Sequence, residues 1–463
     1  MDHAAWLKDG LEDNDEARQA YRHYMRPDPD QREFQGGIET EFDELTGREM
    51  RYRLAKVGMT RGADLDKAKL LKVYLDPMPH IRIDKAKPLQ GWYQSKTTLD
   101  PVTGRHHRPR PCFTDAILTE PYGGYCTVGC AFCYVNSGFR GYRGSGLISV
   151  PTNYGSQVAH MLRQMRTSTA GYFSSFTDPF LPLEDYYHNT RRGAEAFHRE
   201  GLPIFFLSRL AYPGWAFDLL AANRYSYAQK SINTPDEDDW KKLSPGAISL
   251  AEHLAEIKEL RARGIYVSIQ CNPVVPGITS HEDIERLFEM LAEAGANHVI
   301  VKFVEAGFSW APTMIERMIK RFGDNRAFAF RDLFVQNIGG EKTVSEEYRM
   351  EGHHRYRAKA TKLGMTFATC YEYKYERDAE GAILSKVGVS VGKEFATADQ
   401  CHGHKVPMFE RKAAGVPFTE IAECPPSGCL HCADDNGGKP RCGSELLGAA
   451  KALRQPDLRK AAR

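Results

Sequence analysis

Four short apolar runs recur through the middle of the chain, "AGYFSSFTDPF", "LPIFFLSRL", "GIYVSIQCNPVVPG" and "NHVIVKFVEAG", with helix-period segments between them. Apolar runs of strand length without alternation read as strands buried on both faces, and strands alternating with helices build a parallel sheet. Two helices carry their own punctuation. "SHEDIERLFEMLAEAGA" has Ser280 as N-cap, acids in its first turn, a stripe of Ile284, Leu287 and Leu291, and Gly295 near its end. "SLAEHLAEIKELRARG" repeats the form with Leu250, Leu254, Ile257 and Leu260 on one face. The pattern restricts the fold to an α/β sheet or barrel, whose chemistry belongs at the C-terminal ends of the strands.

Around this core the sequence divides into three parts. Residues 1–110 form an N-terminal extension, with a polar helix expected over Glu12 to Tyr24, a hairpin turning at "TGRE" and a basic, proline-limited linker from Gly104 to Pro111. Residues 111–340 hold the barrel. In the C-terminal lobe, 341–463, "EEYRMEGHHRYRAKATKLG" reads as a helix and "MTFATCYEY" as a strand that could finish the sheet. After about residue 385 the chain is rich in Gly, Pro, Cys and His, so a metal staple rather than apolar burial is expected there.

With 62 basic and 60 acidic side chains, a net charge of +2, the chain has no global bias toward nucleic acid or membrane surfaces. The charged start lacks the apolar core of a signal peptide, and no uncharged run could span a bilayer, so a soluble cytoplasmic protein is expected. In a reducing compartment eleven cysteines point to metal or catalysis rather than disulfides. Cys112, Cys271 and Cys370 stand alone; the other eight fall into two groups.

The first group is Cys126-x3-Cys130-x2-Cys133 in "PYGGYCTVGCAFCYV", directly behind the first strand of the series. A zinc knuckle completed from a distance is one reading, but structural zinc takes four ligands and no fourth is obvious nearby. A cubane iron–sulfur cluster held by three thiolates leaves one iron open to a small molecule.

That spacing, with Phe132 before the last cysteine and Tyr134 after it, resembles the radical S-adenosylmethionine (SAM) superfamily. The resemblance runs from about Phe113 to Val304 and is nearest to the branch of spore photoproduct lyase and DNA-repair-photolyase-like proteins, through "SSFTDPFLPLE", "FFLSRL", "YAQKSINT" and "LRARGIYVSIQCNPVVPGI". It implies a partial parallel (β/α)6-type barrel and a [4Fe–4S] cluster on Cys126, Cys130 and Cys133. It also implies bound SAM, cleaved reductively to a 5′-deoxyadenosyl radical, and an external electron donor of flavodoxin or ferredoxin type. Carried over by position, Thr177 and Asp178 contact the amino-acid portion of SAM. Arg209 pairs with its carboxylate, as a bidentate donor can, Ser231 binds the same portion, and Glu184 orients the amine or the ribose. Where spore photoproduct lyases carry a hydrogen-donor cysteine this chain has Ser175, whose O–H bond is too strong to give up a hydrogen atom readily. Cys271, ending "YVSIQC", is the substitute donor if it projects into the barrel mouth; the plainer reading of a buried strand cysteine is packing.

The second group is Cys424-x4-Cys429-x2-Cys432-x9-Cys442, with Cys401 upstream in "CHGH" as an alternative ligand. Such a set suits a closed zinc site or a second iron–sulfur cluster, and the spacing echoes plant-type ferredoxins. Auxiliary clusters in cysteine-rich tails of the resembled superfamily favour iron–sulfur.

The substrate is read from two stretches, "GRHHRPR" and "FRGYRG", which interleave arginine with histidine or aromatic residues and suit phosphate contact and base stacking. They point to radical rearrangement or modification of a nucleobase, in nucleic acid or as a nucleotide. The alternatives are the same chemistry on a small metabolite or peptide, or a noncatalytic iron–sulfur or zinc protein that binds nucleic acid.

Overall fold

A computed structural model describes residues 116–133 except 125, and residues 148–421 except 164, 166, 175, 308–310, 324, 339–340, 371, 399, 412 and 414. In the N-terminal part it describes Met78 and the strands 38–42, 49–54, 69–74, 80–83 and 89–90. Seven parallel strands pair in chain order: β1 Ala116–Thr119, β2 Ala170–Phe173, β3 Ile204–Ser208, β4 Tyr227–Ser231, β5 Tyr266–Val274, β6 His298–Phe303 and β7 Thr366–Thr369. Their residues are almost all buried, as the uninterrupted apolar runs require. This is the expected α/β partial barrel, and its seventh strand lies beyond the boundary set at residue 340 by sequence.

The helices between the strands include the two that capping signals announce. α1 Tyr154–Arg163, α2 Asn189–Arg199 and α3 Gly214–Ala221 are followed by α4 Glu237–Leu243, α5 Leu250–Ala262 and α6 His281–Ala294. α7 Ala311–Phe322, α8 Asn325–Leu333 and α9 Glu346–Lys362 lead to the last strand. Ser249 and Ser280 each close a capping box, worth about 1 kcal/mol apiece, and Gly295 ends α6 at φ 95°. Among the described residues no helix is long and apolar enough to cross a membrane.

Both edges of the sheet are covered. Leu89–Gln90 pairs antiparallel with β1. Beside β7, Thr397 donates its N–H to the Phe367 carbonyl at 2.8 Å and accepts from the Phe367 N–H through its hydroxyl at 2.8 Å. From there the chain crosses to Phe409–Glu410, which pairs with Thr167–Ser168 next to β2. On the way His402 is wedged between Tyr172, Phe205 and Tyr227, with Gln229 Nε2 donating to its Nδ1 at 3.0 Å. His298 donates from Nε2 to the Cys401 carbonyl at 2.9 Å. Gly403 lies so close to His298 that an added Cβ would stand 2.3 Å from the ring. The stretch expected to need a metal staple is, from 397 to 411, fixed by burial: Val406, Met408 and Phe409 join the main core.

The expected hairpin is present, Ile38–Phe42 against Glu49–Leu54, and continues through 69–74 and 80–83 into Ile148–Pro151 and Gly123–Gly124. The N-terminal extension therefore shares a sheet with the two residues that lead into the first cysteine motif. The helix expected at Glu12 to Tyr24 and both basic stretches, 104–110 and 139–144, lie outside the described residues.

Candidate active site

The C-terminal ends of the strands gather the polar residues that sequence marked. At the end of β1, Glu120 accepts from the Phe176 N–H at 3.0 Å and the Thr177 hydroxyl at 3.3 Å; the same hydroxyl reaches the Tyr122 carbonyl at 3.1 Å. Thr177 thus ties the loop after β2 to the loop that carries the cysteines. Two glycines allow that loop to turn: Gly124 has φ 77°, and a Cβ on Gly123 would meet Ser149 Oγ at 2.6 Å.

Cys126, Cys130 and Cys133 are partly exposed, and none is in a disulfide. Turn bonds fold the loop on itself, Gly129 N–H to the Cys126 carbonyl at 3.3 Å and Cys133 N–H to the Cys130 carbonyl at 3.2 Å. Val128 and Ala131 are buried beneath it. Burial pushes the Cys126 thiol well up, and the charges of Asp178, Cys130 and Cys133 add to the effect. Three thiolates on one short loop are the donor set that an iron–sulfur cluster takes. Among the described residues, no three His, Cys, Asp or Glu side chains close on a single metal ion.

Asp178 is buried beside them. Its carboxylate accepts from the Phe180 N–H at 3.0 Å, the Ser208 hydroxyl at 2.9 Å and the Arg209 N–H at 2.8 Å. Burial raises its pKa, and these bonds oppose the rise. Asp178 thereby fixes the end of β3 and aims Arg209. The Arg209 guanidinium lies over the rings of Phe132 and Trp240, 5.1 and 5.2 Å from their centroids, and donates to the Asn272 carbonyl at 3.0 Å. Ser231 ends β4 in register with Gln270. Its neighbour Lys230 points the other way, into the helix layer, where it pairs with Glu256 and donates to the Leu210 carbonyl at 2.7 Å, so Ser231 faces the barrel interior.

Three more residues marked in the sequence have described surroundings. Glu184 is turned away from the mouth: its Oε2 accepts from the Tyr122 hydroxyl at 2.6 Å and the Thr190 N–H at 2.9 Å, and its Oε1 from the Arg191 N–H at 2.9 Å. It caps α2, where unpaired N–H groups attract a carboxylate. Cys271 alternates with the inward-facing Gln270 and so faces the helix layer; it is fully buried in the main core, and burial pushes its thiol up to about 12. It does not project into the mouth. Cys401 is buried against Ile300, Ala368 and Cys370. Ser175 and the tail cysteines Cys424, Cys429, Cys432 and Cys442 lie outside the described residues.

Sequence reasoning missed Glu120, although it stands directly before the quoted motif, and Ser208 and Ser244, which gave no signal because their roles depend on contacts between distant segments.

No family model matches the chain. Among solved structures, a doubly substituted spore photoproduct lyase with bound AdoMet and dinucleoside spore photoproduct aligns at TM-score 0.43 and 15% identity, over 55% of this chain and 76% of that one. Streptococcus suis SuiB bound to S-adenosylmethionine aligns at TM-score 0.37 and 13% identity, over 55% of this chain and 50% of that one. A protein of Pseudomonas phage M6 named radical SAM Nα-GlyT isomerase is 64% identical over 466 residues, 99% of this chain and 95% of the relative. On that end-to-end relationship, the chain belongs to the radical SAM enzymes, in the family of the phage M6 isomerase, and shares their [4Fe–4S] cluster, S-adenosylmethionine and need for an electron donor.

Proposed function

We propose that the protein is a radical SAM isomerase acting on a thymine that carries a glycine through its α-nitrogen. The observation that carries this reading is the 64% identity to the phage M6 isomerase along nearly the whole of both chains. In the name Nα-GlyT the locant specifies attachment through the α-nitrogen, which a glycyl dipeptide would not need, and a one-letter T beside a three-letter Gly follows nucleoside usage. The basic stretches 104–110 and 139–144 suit contact with phosphates if the thymine lies in nucleic acid.

An isomerase conserves composition, so any hydrogen atom taken from the substrate is returned. The glycine α-carbon is the favoured position, since nitrogen and carboxylate together stabilise a radical there. Migration of the base-bearing carbon from nitrogen to that α-carbon, with hydrogen returned to nitrogen, replaces a C–N bond by a C–C bond and balances all atoms. In this reading Cys126, Cys130 and Cys133 hold the cluster. Thr177, Arg209 and Ser231 hold the amino-acid portion of SAM, and Asp178 orients Arg209. Cys424, Cys429, Cys432 and Cys442 hold a second metal centre, iron–sulfur or zinc. One electron arrives from a flavodoxin- or ferredoxin-type donor, in the cytoplasm.

The test supplies anaerobic enzyme, SAM and a reductant with three substrates: an oligonucleotide containing the N-linked glycyl thymine, the matching nucleoside, and glycylthreonine. A product of unchanged mass and altered fragmentation from either thymine substrate supports the proposal. Conversion of the dipeptide alone overturns the thymine assignment. Release of 5′-deoxyadenosine with no isomer from any of the three overturns the isomerase reading.

A further inference from the structure

Ser244 ends α4 and is 1% exposed. Its hydroxyl donates to the Sγ of Cys130 at 3.4 Å, and its oxygen accepts from Nη1 of Arg209 at 3.4 Å. The segment that carries it is clamped to the cysteine loop. Ala131 N–H donates to the Leu243 carbonyl at 2.8 Å, and Gly246 N–H to the Val128 carbonyl at 3.0 Å. Arg321 bridges the two, donating to the Lys242 carbonyl at 2.8 Å and the Gly129 carbonyl at 3.0 Å. Gly246 sits so close that an added Cβ would stand 2.2 Å from the Thr127 carbonyl oxygen. With both segments fixed, the Ser244 hydroxyl has a defined position against one thiol of the motif.

We infer that Ser244 is a positioning residue that sets the reduction potential of the cluster by donating a hydrogen bond to the Cys130 thiolate. Gaining an electron makes a cluster more negative, and hydrogen bonds to its sulfurs stabilise that state and raise the potential. The Arg209 guanidinium behind the hydroxyl polarises it and strengthens the bond. The turnover begins with one electron from the external reductant, so this contact governs how readily the enzyme is primed. The inference rests on the proposal that Cys130 is an iron ligand.

The test compares S244T and S244V, equal in shape and different by one hydroxyl, after anaerobic reconstitution, with iron content measured and the potential read by an EPR-monitored titration. S244V should titrate at a more negative potential, with about a tenfold lower reduced-to-oxidised ratio at a fixed poise, or about 59 mV for one electron; S244T should match the wild type. S244A, which adds no bulk, gives the same reading if the branched residues do not fit. Equal potentials with full iron in the variants that lack the hydroxyl overturn the inference. So does loss of iron from S244A and S244V but not S244T, which would make the hydroxyl necessary for holding the cluster. Separately, a C130A protein that keeps the full iron content overturns the ligand assignment itself.

Discussion

Replacing Glu184 by alanine separates a structural carboxylate from one that binds SAM. Glu184 is 4% exposed, and its two oxygens accept three hydrogen bonds, from the Tyr122 hydroxyl and the Thr190 and Arg191 N–H groups. Hydrogen bonds to a charged group contribute about 1.5–3 kcal/mol each, so the gross loss is roughly 4–9 kcal/mol. Burial, the main influence on this carboxyl, holds its pKa above the usual carboxylate range, so part of that loss is offset once the buried charge is gone. A net destabilisation of about 3 kcal/mol follows, or roughly 3 °C in Tm at about 1 °C per kcal/mol for a chain of 463 residues. SAM affinity of the folded, iron-loaded protein should stay within about twofold, a change of about 0.4 kcal/mol. Thermal melts by circular dichroism and SAM binding by calorimetry give both numbers. A Tm drop of less than about 1 °C together with a tenfold loss of SAM affinity would refute the capping argument.

Behind β7, Glu372 is buried against Arg349 Nη1 at 3.0 Å and His353 Nε2 at 2.8 Å; burial opposes its ionisation, but the Arg349 charge and the His353 bond bring it to about 2. Because the folded pKa lies below the ordinary 4.5, its contribution is complete above pH 4.5 and is lost as pH falls toward 2; the shift corresponds to about 3 kcal/mol. Between pH 6 and pH 3 about 2 kcal/mol of it is lost, so denaturation titrations at those two values should show a wild-type decrease larger than that of E372Q by about this amount; equal decreases in the two proteins would contradict it. The Gly246→Ala change, which puts a Cβ against the Thr127 carbonyl, should cut cluster incorporation severely by displacing the cysteine loop, and normal iron content in that variant would refute the close approach. The Cys401→Ala change, in a buried apolar cluster, should leave iron and zinc contents unaltered while lowering Tm; loss of metal would make Cys401 a ligand.

The sheet was legible because each strand announces itself locally. "IFFLS" and "HVIVKF" are apolar throughout, and the serines before α5 and α6 mark helix starts within a few residues of the positions found. The cysteine motif was legible for the same reason, since its three thiols lie within eight positions. Contacts between distant segments were not legible. His402 and Gln229 are 173 residues apart, so a polar stretch that fills the barrel floor looked like a lobe without a core. Glu184 follows an Asp-Pro motif that invites a ligand role, and only the placement of Tyr122 and the start of α2 shows its carboxylate to be occupied. The inward face of β5 could be assigned only from its register with β4, which turned Cys271 from a candidate donor into packing.

The central claim is that three cysteines at the mouth of this barrel support reductive cleavage of SAM. The direct measurement is 5′-deoxyadenosine formed from SAM and dithionite by the anaerobically reconstituted wild type and by a Cys126/Cys130/Cys133→Ala triple variant, with iron and sulfide determined on both. The account predicts 5′-deoxyadenosine from the wild type and none from the variant, with the variant lacking about four of the wild type's irons. Equal iron content in the two proteins, or 5′-deoxyadenosine from the variant, would contradict it.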